Sequence, residues 1–386
     1  MAACALFWIG LGWWAIATLI QWLSAALALW RRPLAPPRHR VADFSIVAPL
    51  AGGHDASEDY IGRLAELSQA GAEVLICVAS DGDPAVARVR AQWPGAPILA
   101  GSDDTFNPKL NNVRKGLEAA SRPVVALCDA GIALTAGELT RAGAQLSDDV
   151  GLVLALKAGE RPDNFAAEME CAYINGHQAR FLLAADRLGM PVASGGVTIL
   201  TRDVLERIGG HQGFLNYIAD DYSVVRTVRD RIGRTTRLAN FMPRLPLGRR
   251  RWSEVWRRQV RWGSTRLNLP IEVKALVLFE PAIGWLASGL AGAVALAAYG
   301  AGVGTLALAI VAHTIAWLAA EAWFVSGNGL AFGPRAWAAA LARETLVPAL
   351  AVQAWRGRHS IDWRGTNLAA GWRPSGDGAT GKSVRQ

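Results

Sequence analysis

The chain has 386 residues, of which 52% are hydrophobic, with a mean hydropathy of +0.19, a net charge of +8 and a pI near 9.7. It is too apolar for an ordinary soluble protein and too rich in irregular polar sequence to be membrane throughout, so one soluble domain with several spanning helices is expected. The basic residues lie beside apolar runs, where they set orientation and meet anionic lipid, which argues for a bilayer partner and against nucleic acid.

Residues 1–30 carry no charge and are long enough to cross the roughly 30 Å hydrocarbon core. A secretory signal would have a basic start and a shorter apolar core, so this reads as a retained span. Arg31, Arg32, Arg38 and Arg40 follow in a Pro-rich linker over residues 31–42. The positive-inside rule then puts the N-terminus outside and the next domain in the cytoplasm. The four cysteines, Cys4, Cys77, Cys128 and Cys171, lack metal or disulfide spacing and read as buried thiols.

Beyond the linker, strands are expected at residues 44–50, 74–78, 97–99 and 124–128, with helices at 58–69, 84–92 and 110–120 between them. Alternating strand and helix with nearly continuous apolar strands means an α/β domain with a mostly parallel, Rossmann-like sheet buried on both faces. Ligands bind at the carboxyl ends of such strands. Further on, a strand at 152–156, a helix at 166–184 and a turn at 193–196 are expected, and the soluble domain is drawn as 43–246.

From residue 247 to 271 an Arg/Trp-rich helix is expected to lie in the membrane surface. Two spans follow within 272–326, at 275–299 and 303–324. In the last apolar piece, 336–355, Arg343-Glu344 sits at the middle and Pro348 is expected to break the helix. Residues 327–370 therefore read as interfacial or re-entrant, giving three spans, and the Gly/Ser/Arg-rich tail 371–386 reads as disordered.

Acidic residues fall where strands end. Asp81 and Asp83 can accept hydrogen bonds from a base or ribose, and are equally ordinary turn residues. Asp129, ending an apolar strand, needs a partner: either a divalent cation on a diphosphate or the N–H groups of a following turn. Asp220 and Asp221 suit a general base with a neighbour that raises its proton affinity, and equally suit the dipole of a following helix. Arg258, Arg261 and Trp262 belong to a helix whose tryptophans and arginines a membrane surface alone would explain. His177 is either a substrate contact or a structural histidine.

Taken in order, Asp83-Pro84-Ala85, Asn107-Pro108-Lys109-Leu110-Asn111-Asn112, Cys128-Asp129-Ala130-Gly131, Asp221-Tyr222 and Arg258-x-x-Arg261-Trp262 resemble the motif series of ceramide glucosyltransferases. These are family 2 glycosyltransferases of GT-A fold, and the resemblance covers about residues 43–270. It implies inverting transfer from a UDP-sugar, glucose first among candidates, to the hydroxyl of a membrane lipid. By motif, Asp83 resembles the nucleotide-contacting acid, Asp129 the acid at metal and diphosphate, and Asp221 the catalytic base. Asp81, Lys109 and Asn111 fall to donor binding. Arg258, Arg261 and Trp262 resemble the segment closing over diphosphate and acceptor, with His177 and Asp220 as further substrate contacts. Mg2+ or Mn2+ is the implied cofactor, although Asp-Ala-Gly offers one carboxylate where many GT-A enzymes have Asp-x-Asp. Arg258, where processive synthases have Gln, suits single transfer.

Ceramide is the implied acceptor and the cell membrane of a bacterial-type cell the implied location. A hopanoid or diacylglycerol acceptor, or a non-catalytic membrane scaffold retaining the fold, are the alternatives.

Overall fold

The computed structural model of the chain describes residues 2–33, 36–102, 105–132, 134–363 and 366–368. Arg364 and the tail 371–386 lie outside the described residues. The chain forms two compact units. One comprises Leu34–Ala155, Pro191–Ala239 and Arg358–Gln386, the other Met1–Pro33, Leu156–Met190 and Asn240–Gly357. In chain order the first nine strands are β1 (Phe44–Pro49), β2 (Glu73–Val78), β3 (Ile98–Ala100), β4 (Val124–Cys128), β5 (Val150–Leu156), β6 (Ala158–Pro162), β7 (Gly196–Thr201), β8 (Thr235–Leu238) and β9 (Arg244–Gly248).

The first unit is built on a seven-stranded sheet in the order β3-β2-β1-β4-β7-β5-β8. β1 lies between parallel neighbours, with Val47 opposite Leu75 on one side and Leu127 on the other. β7 runs antiparallel to β4, placing Val197 opposite Cys128. Every residue of β1, β4 and β5 is buried. That is why these strands read as unbroken apolar runs and not as alternating ones. The helices Glu58–Gln69, Pro84–Gln92 and Pro108–Ala119 separate the first four strands.

The third of these helices lies very close to the sheet because residue 116 has no side chain. A Cβ there would meet Cys77 Sγ and Val47 Cγ1, each at 2.6 Å. Asn107 caps the helix, its side-chain oxygen accepting from the Lys109 backbone N–H at 3.0 Å. This fixes the start of the helix, and with it Lys109, over the carboxyl end of the sheet.

The other unit is helical, with a short parallel ribbon of β6 and β9. Its first helix, Ala2–Leu29, is joined to later ones by polar side chains in apolar surroundings. Trp13 Nε1 donates to the Ala282 carbonyl at 2.9 Å, and the fully buried Gln21 donates to the Trp317 carbonyl at 3.1 Å. Such bonds hold helices together where apolar faces alone cannot distinguish a neighbour from lipid. Among the described residues two helices, Ala3–Leu29 and Val303–Gly327, are long and apolar enough to cross a membrane. The expected span at 275–299 is broken into Ile271–Ile283 and Trp285–Ala298, bent by 44°. Pro281 and Gly284 fall at the bend, where a proline removes a helical N–H and glycine loosens the backbone. Three spans result only if this pair is counted as one.

Pro348 does not break the last apolar helix, which runs unbroken from Pro334 to Gly357. The expected 166–184 helix is part of one helical run, Phe165–Cys171, Ala172–Gln178 and Ala179–Arg187, whose middle is a π-helix. Met169, Ala172 and Tyr173 pack with Val255, Ala339 and Leu350, so this run belongs with the apolar helices and not with the sheet it follows in sequence. The awkward charge of the last helix is resolved internally. Arg343, fully buried, donates to Glu321 Oε2 at 2.7 Å and to the Ala172 carbonyl at 2.7 Å. The widened π turn faces this guanidinium, and Gly176 leaves room for the Glu321 carboxylate, which a Cβ would overlap.

Two outcomes follow. Gly116→Val overpacks the helix against β1 and β2 and destabilises the protein by about 1–3 kcal/mol, seen as a lower melting temperature in detergent. Arg343→Met leaves Glu321 buried without its counter-charge and destabilises by about 3–5 kcal/mol, read in the same assay.

Candidate active site

In the sheet unit, two of the acidic positions converge on one lysine. The Lys109 ammonium lies 2.7 Å from Asp129 Oδ1 and 2.7 Å from Asp220 Oδ2, with all three side chains largely enclosed. β4 delivers Asp129 at its carboxyl end, where the Asp129 backbone N–H donates to the Gly196 carbonyl at 2.9 Å and ties the turn to β7. Helix Asp220–Ile232 delivers the acid pair in its first turn, after Ala219 at the cap position. Neither acid is itself the cap. Both sit where the helix dipole favours negative charge, so the structural role weighed from the sequence is present.

The geometry distinguishes the two acids. Asp220 pairs with Lys109, whereas the Asp221 carboxylate accepts from the Tyr222 backbone N–H at 2.8 Å. Enclosure, then the adjacent Asp220 carboxylate, raise Asp221 to about 6, with Lys109 opposing them. Burial disfavours the Lys109 charge, but Asp129 and Asp220 outweigh it and raise its pKa. The result is a permanently cationic lysine beside a carboxyl that changes protonation near neutrality. Cys128, next to this group, is an inert core thiol, pushed up to about 12 by burial and by Asp129.

The other donor-side candidates are arranged around local structure. Asp83 Oδ1 accepts from the Ala85 N–H at 2.8 Å, capping helix Pro84–Gln92, and from the Gly52 N–H at 2.9 Å, tying that helix to the loop after β1. Asp81 is exposed on the same turn. Asn111 Oδ1 accepts from the Thr105 N–H at 2.7 Å, and Asn112 reaches the Leu50 carbonyl at 3.3 Å.

Among the described residues no three or more His, Cys, Asp or Glu side chains form a ready-made metal cluster. The acidic group can still take part in holding one. Its carboxylates outnumber its single ammonium, and a divalent cation bound to a nucleotide commonly takes one or two protein carboxylates and completes its shell with phosphate oxygens. Asp129 is the most exposed member, at 24%.

Arg258, Arg261 and Trp262 lie on helix Trp252–Arg266 of the helical unit. Arg258 pairs with Glu170, whose side chain is fully buried, and Arg250 Nε lies 3.5 Å from the same carboxylate. The Lys157 ammonium sits 5.2 Å from the centre of the Trp262 ring. His177 Nε2 contacts the Glu280 carboxylate. Glu170, Glu280 and Lys157 were not among the expected site residues. The signal for Glu170 was an acid inside the apolar helix Phe165–Cys171, and for Glu280 an acid beside Pro281 in an otherwise apolar span.

Known proteins bear on these units. Ceramide glucosyltransferase 3 of Caenorhabditis elegans is 24% identical over 340 residues, which is 85% of this chain and 72% of that protein. Ceramide glucosyltransferase 1 of the same organism is 27% identical over 167 residues, covering 41% of this chain and 36% of that protein. Among solved structures, the mannosyltransferase PcManGT from Pyrobaculum calidifontis in complex with GDP-Man and Mn2+ superposes with a TM-score of 0.53 at 18% identity, covering 92% of this chain and 98% of that one. The fold is that of GT-A glycosyltransferases, as the resemblance of the motif series implied. The profile described as glycosyl transferase family 21 matches residues 12–375, nearly the whole length, and the chain therefore belongs to that family, a glycosyltransferase related to ceramide glucosyltransferases.

Proposed function

We propose that the protein moves a sugar, glucose first among candidates, from a UDP-sugar to the hydroxyl of a membrane lipid, ceramide first among acceptors, with inversion at the anomeric carbon. The observation that carries this reading is the division of labour at the sheet's carboxyl end. One lysine bridges Asp129 and Asp220, and Asp221 is left with a proton affinity suited to a general base. The Mn2+ and nucleotide sugar named with the PcManGT structure and the glucosyltransferase relatives support the donor class.

In this reaction Asp221 takes the proton of the lipid hydroxyl as its oxygen attacks the anomeric carbon. The bond to the diphosphate oxygen breaks with the electron pair leaving on UDP, and no covalent enzyme intermediate is needed. Asp220, with Lys109, keeps the base close to neutrality and oriented by the first turn of its helix. Asp81, Asp83, Lys109 and Asn111 hold the donor. Arg258, Arg261 and Trp262 keep the role their motif implies, offsetting diphosphate charge and bordering the acceptor. A Mg2+ or Mn2+ ion held by Asp129 would supply charge neutralisation for the departing diphosphate. The basic linker after the first helix supports a cytoplasmic site with the N-terminus outside.

Release of UDP from UDP-glucose and related donors, with ceramide, hopanoid or diacylglycerol present, tests the reading. One lipid accelerates release by wild type, and Asp221→Asn lowers the rate by about 10²–10⁴-fold. Stimulation by no lipid, or an Asp221→Asn variant as fast as wild type, removes it.

The pH dependence has a definite sign. The base must be ionised, so kcat/KM rises with pH through an acid limb near 6. Asp220→Asn removes a neighbouring negative charge, lowers the Asp221 pKa and moves that limb to lower pH. Lys109→Met removes the opposing positive charge and moves it higher. A limb that is unmoved by both variants assigns the titration to another group.

A further inference from the structure

The two helices long enough to span, Ala3–Leu29 and Val303–Gly327, end side by side, so close that a Cβ on Gly327 would meet Leu29 Cδ2 at 2.6 Å. Just past these ends the helical unit gathers guanidinium groups from segments far apart in sequence. Arg31 and Arg32 follow the first helix, Arg187 closes the helical run Phe165–Arg187, and Arg244 opens β9. Asp186 is the carboxylate among them, its Oδ2 accepting from Arg32 Nη1 at 2.6 Å and from Arg187 Nη1 at 2.5 Å. Four cations less one carboxylate leave three positive charges in excess. Burial lowers the Arg187 pKa, and Arg32 and Arg31 lower it further against the pull of Asp186, so these charges feel one another.

Two of the four arginines are committed to structure. Arg32 Nη2 donates to the Asp186 carbonyl at 2.7 Å, and Arg187 donates to the Trp30 carbonyl at 2.8 Å and to Asn240 Oδ1 at 3.0 Å. Arg31 and Arg244 are placed differently. They converge on Asn328, where Arg31 Nη2 donates to the side-chain oxygen and Arg244 Nη2 reaches the Asn328 and Gly329 carbonyls only at 3.3 and 3.4 Å. Among the described residues neither has a carboxylate partner, and Arg244 Nη1 is buried with no hydrogen-bond partner. A cation beside the last carbonyls of a helix answers its dipole, and that accounts for one nitrogen of each group. It does not account for a buried guanidinium nitrogen left unbonded beside a second arginine, since buried polar atoms are nearly always paired.

An anion with several oxygens completes such a pair, because guanidinium forks match phosphate oxygens closely. The location selects a lipid as its source. Trp30, 58% exposed, and Trp323, 46% exposed, stand at the same helix ends, and tryptophan rings favour the headgroup layer. The basic linker after the first span marks this as the side where anionic lipids concentrate. We propose that Arg31 and Arg244, meeting at Asn328 beyond the paired ends of the two spans, bind the phosphate of an anionic glycerophospholipid, with Arg32 and Arg187 adding positive charge behind them. This lipid is a resident ligand and not the sugar acceptor. Its headgroup ties the end of the first helix to the end of Val303–Gly327 and to β9.

The test titrates the full chain in detergent with phosphatidylglycerol, phosphatidylcholine or inorganic phosphate, and reads bound probe by native mass spectrometry beside the melting temperature. Wild type is expected to retain one phosphatidylglycerol and to melt higher with it, while phosphatidylcholine, whose head carries its own cation, binds at least about tenfold more weakly. Arg31→Gln combined with Arg244→Gln is expected to cost about 30-fold in phosphatidylglycerol affinity. Arg257→Gln combined with Arg356→Gln, which removes the same charge elsewhere in the helical unit, is expected to leave that affinity unchanged. Should the first pair prevent folding, Arg31→Gln alone, at an exposed side chain, carries the test with a loss of about fivefold. Equal losses in the two double variants, or equal binding of phosphatidylcholine, mean diffuse surface attraction and overturn the proposal. Inorganic phosphate that raises the melting temperature as much as phosphatidylglycerol at the same concentration assigns the site to a free anion and overturns the lipid. Sugar transfer enters none of these readouts, so their outcome is independent of the reaction.

Discussion

Three carboxylates gathered at one end of a sheet repel one another, and much of the sheet unit can be understood as the means of keeping them there. The Lys109 ammonium, 2.7 Å from both Asp129 and Asp220, is the counter-charge. Its own position is unfavourable, because a cation in the first turn of a helix opposes the helix dipole. Asn107 fixes that turn, and the bare backbone at Gly116 lets the helix approach Val47 and Cys77 closely enough to bring the lysine over the strand ends. Asp220 and Asp221 sit favourably in the first turn of their own helix. One unfavourable placement is thus offset by two favourable ones, and an enclosed lysine stays charged.

The helical unit solves a related problem with the signs exchanged. Arg343 would be intolerable alone inside an apolar bundle, and Glu321, Glu344 and the Ala172 carbonyl offset its charge there. Because the carbonyl comes from a π-helical turn, the same interaction holds three helices in a defined rotation. Glu344, next in sequence, lies with its carboxylate 3.3 Å from the Trp285 backbone N–H, at the start of the segment that follows the Gly284 break. A bent apolar helix would otherwise expose an unsatisfied first turn, and here an anion meets it.

Much of the sheet unit was legible in the sequence because its signals are local. The helices Glu58–Gln69 and Pro84–Gln92 and the strand Val124–Cys128 lie where apolar period, capping residues and proline placement put them. Asp129, Asp220 and Asp221 were recognisable as acids at element ends, but that Lys109 would join two of them depends on contacts between residues 111 apart in sequence. The helical unit was harder to read. Pro348 suggested a break that Pro334–Gly357 does not have, since packing on both sides outweighs one missing N–H. Pro281 with Gly284 did produce a bend, inside a run long enough to read as a single span. Residues 158–187 follow the sheet in sequence yet pack with the helices, and the pairing of Glu170 with Arg258 depends on that. No periodicity in the segment announces it.

The π turn at Ala172–Gln178 has one more consequence. Each residue of an α-helix advances the chain by about 100° around the axis, and a π turn behaves as a one-residue insertion that rotates everything after it relative to everything before. On the N-terminal side of the insertion Met169 faces the apolar cluster. On the C-terminal side Arg180 reaches the Gln21 carbonyl at 3.1 Å and Arg187 the Trp30 carbonyl at 2.8 Å. The segment's length, as much as its composition, is therefore under constraint: among related chains, a gap of one position here would be a change of helix phase, and substitutions would be far easier to accommodate than indels.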